Sequence, residues 1–484
     1  MSQSVNHVAL LPLYAAAGTA ILAFLADLFV AKRAVTIAAT ALGALATAVA
    51  ALAVGAEAGT FCTTGACSWV PTWPAAVTAA LFAALTVGVL ALSTPALRLA
   101  IAPAGEFCFL LACSMTGGVV VAYAGDLITL IVGLETLTLP LYVLVGLRRF
   151  APGERATTEG AAASVTFFLI SVVSTAVTLL GAALNYAATG ALHLALLTPA
   201  TGVFGPLAGV GVALLVIGLA FKVAAVPLHA WAPATYDGAP VPIAAYLSTA
   251  SKLGGVLALA AIVSRLDARA VTAVLAVLTM TVGNLVALRQ TRMVRLLAWS
   301  SIAQAGYILA ALALGAPGVP AALAYAVFFV VLELIVFGVV VALRPPGADG
   351  GPLLDYRGAG RRHPWLGAAM VLALAGLAGL PPGLAGLFAK LSVVNVLVQR
   401  NWAWLAAVVV LNAVIALAYY VRVAASLYTL PPRIGLSVAD PVLVDAALHP
   451  RLPISRPVAA TLVASVAVAV VLGFAPQVLF DALT

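Results

Sequence analysis

Three lysines and one glutamate lie inside stretches of this sequence that are otherwise almost free of charge. The lysines are Lys222, Lys252 and Lys390, and the glutamate is Glu135, within residues 133–140. Ionisable side chains in long apolar segments are rare and mark proton or ion pathways. A desolvated lysine can release its proton, whereas arginine cannot. These residue types therefore favour proton transfer over catalysis of bond chemistry.

The distribution of basic residues supports this interpretation. Only four of the 23 lysines and arginines are lysines, and almost every arginine lies at the edge of an apolar segment. A carboxylate about 4 Å from an ammonium stabilises it by about 4 kcal/mol at an effective dielectric of about 20. Desolvation opposes the charged amine by a comparable amount. The approach of one acid can therefore decide whether a buried lysine keeps its proton.

A structural role is the alternative, since a lysine near the end of a membrane span can extend its ammonium to the surface. Lys252 lies near the middle of its segment and fits that role badly. Lys222 precedes Pro227, and Lys390 follows Pro381 and Pro382. Proline breaks a helix, so both lysines lie beside predicted breaks, where freed carbonyl groups and water can gather.

Other polar residues have more balanced interpretations. His229 is either a proton carrier beyond the first buried lysine or the anchor of a loop, and its ordinary pKa is near ambient pH. Glu333 is either a second relay carboxylate or a residue that faces a partner. Tyr419, Tyr420 and Arg422 either line a proton exit or pack in the core.

The remaining candidates are predicted to be structural. Asp126 lies at the end of an apolar segment. Cys62 and Cys67 lie in one loop, where pairing and free thiols are equally compatible with the sequence. Cys108 and Cys113 lie within one helix, their spacing is poor for a single face, and no histidine joins them, so packing is favoured over metal binding.

The composition is that of a membrane protein. Hydrophobic residues make up 64% of the chain and charged residues only 8%, against about 25% charged in soluble domains. At about 20 residues a span, 484 residues allow about 14 helices. We therefore predict an all-α, polytopic membrane protein forming one domain, residues 1–484. The net charge of +8 comes from arginines scattered in loops, which excludes a nucleic-acid partner and indicates a lipid bilayer.

The predicted spans lie at about residues 8–30, 34–55, 75–96, 106–123, 125–147, 160–187, 206–228, 239–263, 269–288, 294–315, 319–343, 366–398, 402–427 and 457–478. Their alternation places nearly all loop arginines at one face, which predicts that both termini lie outside the cytoplasm. The first residues lack a basic region and a cleavage site, so an uncleaved first helix is expected. The loops are too short for a nucleotide or flavin domain, and redox cofactors are expected in partners.

Several motifs then resemble one family. They are FKVAAVPLHAWAP at 221–233, YDGAP at 236–240, Ser251–Lys252, NLVALRQT at 284–291, RLLAWSSIAQAGY at 295–307, GLPPGLAGLFAK at 379–390, and Glu135 followed by Pro140, Leu141 and Tyr142. Together they are similar to the antiporter-like subunits of respiratory complex I over roughly residues 125 to 425. The form of residues 236–240 resembles the N branch of that family.

The resemblance implies a specific architecture. It consists of helices 1–3 in residues 1–100, two inverted five-helix repeats (helices 4–8 at 106–263 and helices 9–13 at 269–427), and helix 14 at 457–478. Helices 7 and 12 are expected to be broken, as in many transporters. Glu135 and Lys222 would be a modulating pair, Lys252 the central relay and Lys390 the terminal proton carrier.

The resemblance also implies a function and partners. The chain would be a proton-translocating subunit of an NADH:quinone oxidoreductase in a bacterial plasma membrane, beside other membrane subunits that include further antiporter-like ones. It would hold no cofactor; NADH, FMN, iron–sulfur clusters and quinone would belong to partner subunits.

Two departures from the family keep alternatives open. Residues 166–168 read Thr-Phe-Phe where the family usually has a lysine first. The eleventh helix lacks the family's usual Asn-Leu-Gly piece and carries Glu333 nearby. One alternative is a subunit of a multisubunit sodium/proton antiporter, which shares these motifs. The other, suggested by Thr166, is a structural membrane subunit with a reduced proton path. A stand-alone solute carrier is disfavoured because nothing else polar indicates a substrate pocket.

Overall fold

The computed structural model describes residues 5–63, 65–147, 154–430 and 454–483, and the side chains of the sixth helix from residue 158. The predicted all-α fold is confirmed, with one small hairpin added. The helices are α1 (Leu11–Val30), α2 (Arg33–Val54), α3 (Trp73–Arg98), α4 (Ala104–Tyr123), α5 (Leu127–Gly146), α6 (Glu154–Thr189), α7 (Gly205–Ala220), α8 (Trp231–Gly238), α9 (Val241–Tyr246), α10 (Lys252–Val263), α11 (Arg269–Ala287), α12 (Met293–Leu312), α13 (Val319–Leu343), α14 (Ala359–Arg362), α15 (Pro364–Ala378), α16 (Leu384–Gln399), α17 (Ala403–Tyr428), α18 (Arg456–Phe474) and α19 (Pro476–Leu483).

Twelve helical stretches within the described ranges are long and apolar enough to cross a membrane. Helix α12 is not in this set, and its apolar sequence is interrupted by Arg295, two serines and Gln304. The pair α15 and α16 divides one further span into two short helices. Adding α12 and this pair to the twelve gives the fourteen predicted spans.

The bundle has a buried centre and an apolar exterior. Within the apolar 18-residue stretch of Val241–Val263, 89% of residues are buried, and within that of Ala316–Leu343, 78% are buried. The corresponding stretches of Arg33–Val54 and Arg456–Phe474 reach only 28%. The exposed residues of the outer helices are mainly aliphatic or aromatic, as a surface in contact with lipid requires. Helices α9, α10 and α13 therefore form the interior, where any buried charges must find protein partners.

Both predicted helix breaks are present. A 3₁₀ turn at Phe221–Val223 extends α7, and the chain then turns through Ala224, which has a left-handed φ of 56°. The second break separates α15 from α16 at Gly379, whose φ is 82°. A π-helical turn at Leu247–Ser251 joins α9 to α10 directly before Lys252. That turn was not predicted, because its residues carry no sequence signal for a change of helical type.

The four cysteines divide as their positions suggest. Cys62 and Cys67 form a disulfide across the hairpin of β1 (Thr60–Thr63) and β2 (Ala66–Trp69), which decides between the two interpretations left open. Cys108 is buried and Cys113 half-buried in α4. Among the described residues, no group of histidine, cysteine or acidic side chains is arranged to hold a metal.

Loops predicted on one side of the membrane contact one another. Asp126 pairs with His193 in a β-bridge between two such loops, and its carboxylate accepts a hydrogen bond from the Thr129 amide at 2.7 Å, capping α5. Its predicted structural role is confirmed. At the opposite end Arg292 joins two other loops through Asp237 and Asp349. The loops that were predicted to lie on the same side of the membrane are therefore in contact with one another.

Some arginines of the predicted asymmetry lie outside the described residues. They are Arg148, Arg149, Arg433 and Arg451, and the side chain of Arg155 is also outside.

Helices α6 and α7 pack closely through glycine. A Cβ added at Gly218 would lie 2.8 Å from the Thr178 amide nitrogen and 3.0 Å from the Ser174 carbonyl oxygen. Backbone atoms cannot move aside easily, so the helices approach this closely only with glycine. Gly209 lies on the same helix, and nothing stands within 4 Å of a Cβ added there.

We predict that Gly218→Ala destabilises the protein and that Gly209→Ala does not. Overpacking against backbone should cost about 1–3 kcal/mol, which lowers the midpoint of heat-induced aggregation of the detergent-solubilised complex. The two variants should be compared at equal expression. If the two variants aggregate at the same midpoint temperature, α6 and α7 do not pack as closely at Gly218 as described here.

Candidate functional site

Glu135 and Lys222 form an ion pair inside the first half of the bundle. The Lys222 Nζ lies 2.8 Å from the Glu135 Oε1, and it donates further hydrogen bonds to the Thr138 Oγ1 at 3.1 Å and the Ser171 Oγ at 3.3 Å. Glutamate and threonine come from α5, serine from α6, and lysine from the turn after α7. The ammonium therefore has three acceptors from two helices other than its own.

The break after α7 places Lys222. The rings of Phe167, Phe221 and Trp231 stack on one another, with centroids 4.5 Å apart between Phe167 and Trp231. The Trp231 indole also donates a hydrogen bond to the Phe221 carbonyl oxygen at 3.3 Å. These contacts fix the residue before Lys222, so the lysine side chain points into the bundle and is 5% exposed.

Glu135 lies at the outer end of this pair. Its side chain remains 30% exposed, although it stands near the middle of α5. The Thr175 hydroxyl donates a hydrogen bond to the same Oε1 at 2.7 Å. Nearby, the Tyr142 hydroxyl donates to the Ser171 Oγ at 2.5 Å. The acid is thus held by Lys222 and by the Thr175 hydroxyl of α6 but stays accessible from outside the chain.

Lys252 lies one helical turn from the point where α10 packs against Lys222. A Cβ added at Gly255 would be 2.9 Å from the Lys222 Cβ, and residues three apart share a helical face. No hydrogen bond joins the two ammonium groups directly within the described part of the chain. They are neighbours along the interior of the bundle, each with its own set of partners.

A short chain of hydrogen bonds connects Lys252 to a buried acid. The Lys252 Nζ donates to the Ser301 Oγ at 2.6 Å, the Ser301 and Ser248 hydroxyls are 2.8 Å apart, and the Ser248 hydroxyl donates to the Glu333 Oε2 at 2.7 Å. Ser248 lies within the π-helical turn and Lys252 follows it directly, and both residues contact Ser301 of α12. Two hydroxyl groups therefore separate the amine from the carboxylate.

Glu333 is fully enclosed in the bundle. Its exposure is 0% on α13, so the interpretation that it faces a partner is wrong. The second oxygen, Oε1, has no hydrogen-bond partner among the described residues. A buried carboxylate oxygen without a partner is costly, which distinguishes this position from an ordinary structural acid.

Lys390 is stabilised by backbone carbonyl groups. Its Nζ donates to the carbonyl oxygens of Leu377 and Ala378 at 2.8 Å each, and it lies 4.8 Å from the centre of the Tyr307 ring. The C-terminal carbonyls of a helix carry partial negative charge and lack helical partners. The break after α15 frees these carbonyls, and no carboxylate pairs with Lys390 in the parts of the chain that are described.

Gln304 links the central and terminal parts of this arrangement. It follows Ser301 by one turn on α12 and donates to the Leu377 carbonyl oxygen at 2.8 Å and to the Tyr420 hydroxyl at 2.9 Å. The Tyr325 hydroxyl donates to its carbonyl oxygen at 2.5 Å. Gln304 and Lys390 thus share the carbonyl of Leu377. Sequence reasoning missed Gln304, although a glutamine inside an apolar span was a usable signal.

Asn284 is a second polar centre that the sequence analysis missed. Its amide donates to Tyr307 at 3.0 Å and to Asn412 at 3.1 Å, and it accepts from the Tyr419 hydroxyl at 3.0 Å. Tyr419 and Tyr420 are therefore hydrogen-bonded members of a polar network as well as core residues. Arg422 instead donates to carbonyl groups at the end of α11, which is a capping role.

Two other predicted positions lie apart from these contacts. The His229 ring is half-buried, 5.2 Å from the Trp299 ring, and its Nδ1 is 3.2 Å from the Pro227 carbonyl oxygen; none of its described hydrogen bonds goes to a lysine. Thr166 is on the exposed side of α6, next to the buried Phe167. A lysine at Thr166 would therefore start from the outer surface of the chain.

The residues that follow one another through the bundle are here called the central row: Glu135, Lys222, Lys252, Ser301, Ser248, Glu333, Gln304 and Lys390. Its three lysines are only 2–7% exposed. All three side chains lie in the interior of the bundle, and none of them faces lipid. Amines, carboxylates and hydroxyls in such an order can hold protons and pass them between neighbours.

A many-helix bundle with broken helices and such a row defines an antiporter-like membrane subunit. A family model described as NADH:quinone oxidoreductase/Mrp antiporter, TM, matches residues 124–416, which include the whole central row. NADH-quinone oxidoreductase subunit N of Salinispora tropica is 57% identical to this chain over 99% of each.

Solved structures agree with this class. A chain of respiratory complex I from Thermus thermophilus is 28% identical, with a TM-score of 0.80 over 98% of this chain and 99% of that one. A chain of the Mrp complex from Dietzia sp. DQ12-45-1b has a TM-score of 0.83 over 99% and 96% but is 22% identical, a likeness of fold alone. The chain belongs to the NADH:quinone oxidoreductase/Mrp antiporter family, on the branch of NADH-quinone oxidoreductase subunit N.

Proposed function

We propose that this chain carries protons across the membrane as part of an NADH:quinone oxidoreductase, and that the central row is its path. The observation that carries the proposal is the succession of hydrogen-bonded ionisable groups that the row places along the interior of the bundle. Neighbouring members are joined by hydrogen bonds of 2.6–2.8 Å between Lys252 and Glu333, and by the ion pair of Lys222 with Glu135. Quinone reduction elsewhere in the complex drives the rearrangement of charge.

The energies are sufficient for this role. Moving one charge against 100 mV costs about 2.3 kcal/mol, and an ion pair about 4 Å apart is worth about 4 kcal/mol at an effective dielectric of about 20. Separating Glu135 from Lys222 therefore removes enough stabilisation for the lysine to release its proton to a neighbour. Glu135 and Lys222 act as the modulating pair, and the switch lies in the distance between them.

The remaining members follow in order. Lys252 is the central relay, and Glu333 receives or returns its proton through two serine hydroxyls. Lys390 is the terminal carrier, held by carbonyl groups that stabilise its charged form. His229 has a weaker claim, because it is half-buried beside Trp299 and lacks a described hydrogen bond to the row.

The partners are other membrane subunits of the complex, further antiporter-like subunits among them. Glu135 supports this, because a carboxylate 30% exposed at mid-span is costly against lipid and requires a neighbouring protein to cover it. NADH, FMN, iron–sulfur clusters and quinone belong to the partner subunits, and this chain supplies proton movement only.

The two alternative functions receive no specific support. The resemblance to the Mrp complex is one of fold, which an antiporter and a complex I subunit share. A structural subunit with a reduced path was suggested by Thr166, but that residue lies on the exposed side of α6, apart from the central row. The central row is therefore complete although this chain has threonine where the family usually has lysine.

We further propose that residues 106–263 and residues 269–427 form two inverted five-helix repeats. Each contains one broken helix, α7 with α8 and α15 with α16. Lys222 lies in the first break, and the ammonium group of Lys390, a residue of α16, reaches the carbonyl groups at the second. This repetition is typical of transporters that bind ions near the middle of the membrane.

The membrane is proposed to be a bacterial plasma membrane, with both termini outside the cytoplasm. The excess of arginine at one face supports this orientation, because cytoplasmic loops are rich in basic residues.

Labelling of cysteine tests the orientation. We predict that, after reduction, a membrane-impermeant maleimide labels Cys62 and Cys67 in spheroplasts and not in inside-out vesicles. The matched control is the Cys62→Ser/Cys67→Ser variant, in which Cys108 and Cys113 remain inside α4 and should stay unlabelled. Labelling confined to inside-out vesicles would reverse the orientation.

Replacement of Lys222 tests the proton path. We predict that Lys222→Met in the assembled complex slows proton translocation at least about tenfold, because losing roughly 1.4 kcal/mol of barrier stabilisation already has that effect. Proton movement and quinone reduction should be measured on the same vesicles. Lys32→Met, at an exposed lysine before α2, is the control and should leave both rates unchanged. Unchanged pumping by correctly assembled Lys222→Met enzyme would refute the role.

A further inference from the structure

Tyr236 is a buried residue of α8 whose hydroxyl is unexplained by packing. Its exposure is 0%, and the hydroxyl has no hydrogen-bond partner among the described residues. The ring packs edge-on against Trp231 and Phe337, with centroids 6.2 and 6.4 Å away. A phenylalanine would make the same contacts. The buried hydroxyl therefore carries a desolvation cost that the ring contacts do not require.

The hydroxyl of Tyr236 is placed beside the middle of the central row. The Tyr236 ring contacts Phe337 of α13, which follows Glu333 by one helical turn. The hydroxyl also faces the hydroxyls of Ser301 and Ser248 and lies in the electrostatic field of Glu333. Glu333 Oε1 is the other unpartnered buried polar atom of this cluster, while its Oε2 accepts from Ser248 at 2.7 Å. Two buried groups of complementary chemistry, one donor and one acceptor, thus lie in the same small region without described partners.

The residue after Tyr236 anchors α8 from outside the membrane. Arg292 donates to the Asp237 Oδ2 at 2.7 Å and to the Asp349 Oδ2 at 2.7 Å. The hydrogen bond to Asp237, aided by Asp349, raises the pKa of Arg292 above its usual range. The guanidinium therefore stays charged, and the anchor holds at every physiological pH.

The other side of α8 is also fixed. A Cβ added at Gly238 would lie 2.7 Å from the Ala163 Cβ of α6, so the end of α8 is in close contact with that helix. Tyr236 therefore cannot leave the cluster without breaking the Arg292 contacts and the packing on α6.

We propose that Tyr236 is a positioning residue of the central row, whose hydroxyl holds the second carboxylate oxygen of Glu333 directly or through one water molecule. The Arg292–Asp237 pair keeps it in place. With this contact Glu333 has a donor on each oxygen, Ser248 on one side and Tyr236 on the other, so its carboxylate stays aimed at the serine bridge to Lys252. The proposal rests on the proposed role of Glu333 in proton translocation.

The test compares two buried tyrosines. Tyr236→Phe removes the hydroxyl and keeps the ring contacts. Tyr123→Phe is the matched control, because its hydroxyl is equally buried without a described partner, yet its ring stacks on Trp69 at 4.7 Å, away from the row. We expect Tyr236→Phe to slow proton translocation about tenfold and Tyr123→Phe to leave it unchanged.

A spectroscopic readout separates positioning from general damage. The carboxyl vibration of Glu333 is identified in redox-induced infrared difference spectra of the assembled complex as the band lost in Glu333→Gln. We expect this band to shift in Tyr236→Phe and to stay in place in Tyr123→Phe. If Tyr236→Phe fails to assemble, Asp237→Asn, which weakens the anchor and keeps the hydroxyl, should shift the same band.

The outcomes distinguish the two levels of the proposal. Normal pumping by Glu333→Gln enzyme would remove Glu333 from the path, and the proposal with it. Lost pumping in Glu333→Gln, together with an unshifted band and normal rate in Tyr236→Phe, would overturn the role of Tyr236 alone. If Tyr236→Phe does not assemble, an unshifted Glu333 band in Asp237→Asn would likewise overturn the role of Tyr236.

Discussion

A charge inside a lipid bilayer must have a partner, and the architecture of this protein follows from that constraint. Each buried lysine has a different solution. Lys222 has a carboxylate, Lys252 has a serine hydroxyl, and Lys390 has two carbonyl groups at the end of a helix. Helix breaks make two of these arrangements possible. The break after α7 turns Lys222 inward, and the break after α15 leaves carbonyl groups free to bind Lys390. The most buried spans surround these groups, and the outer helices shield them from lipid.

These solutions differ in how easily they can change. The carbonyl partners of Lys390 belong to the backbone, so its environment is fixed by the fold. Glu135 is a side chain, partly exposed at the edge of the chain, and its distance from Lys222 can respond to a neighbouring subunit. Between them, Lys252 and Glu333 communicate through two hydroxyls that can each donate and accept. A disturbance at the exposed end can thus alter proton affinities along the row, and this is the form of coupling that the proposed function requires.

The sequence revealed the charged residues and the breaks because both have strong signals. A lysine in an apolar span is conspicuous, and proline or glycine beside it predicts interruption. The uncharged connectors were missed for a physical reason: serines such as Ser248 and Ser301 are common in membrane helices and usually bond to their own backbone, so their types do not reveal a bridge. The π-helical turn before Lys252 and the hydrogen bond between Ser248 and Glu333 arise from packing among distant helices. Gln304 and Asn284, by contrast, were visible as amides in apolar spans.

The central claim is that Glu135 and Lys222 act as one unit. It is tested most directly by a double-mutant cycle with Glu135→Gln, Lys222→Met and the double variant, all measured for proton translocation in the assembled complex. Groups that act together lose their function with the first replacement, so the double variant should be no slower than the slower single variant. Independent, multiplicative losses, with the double variant slower by the product of the single effects, would contradict the account.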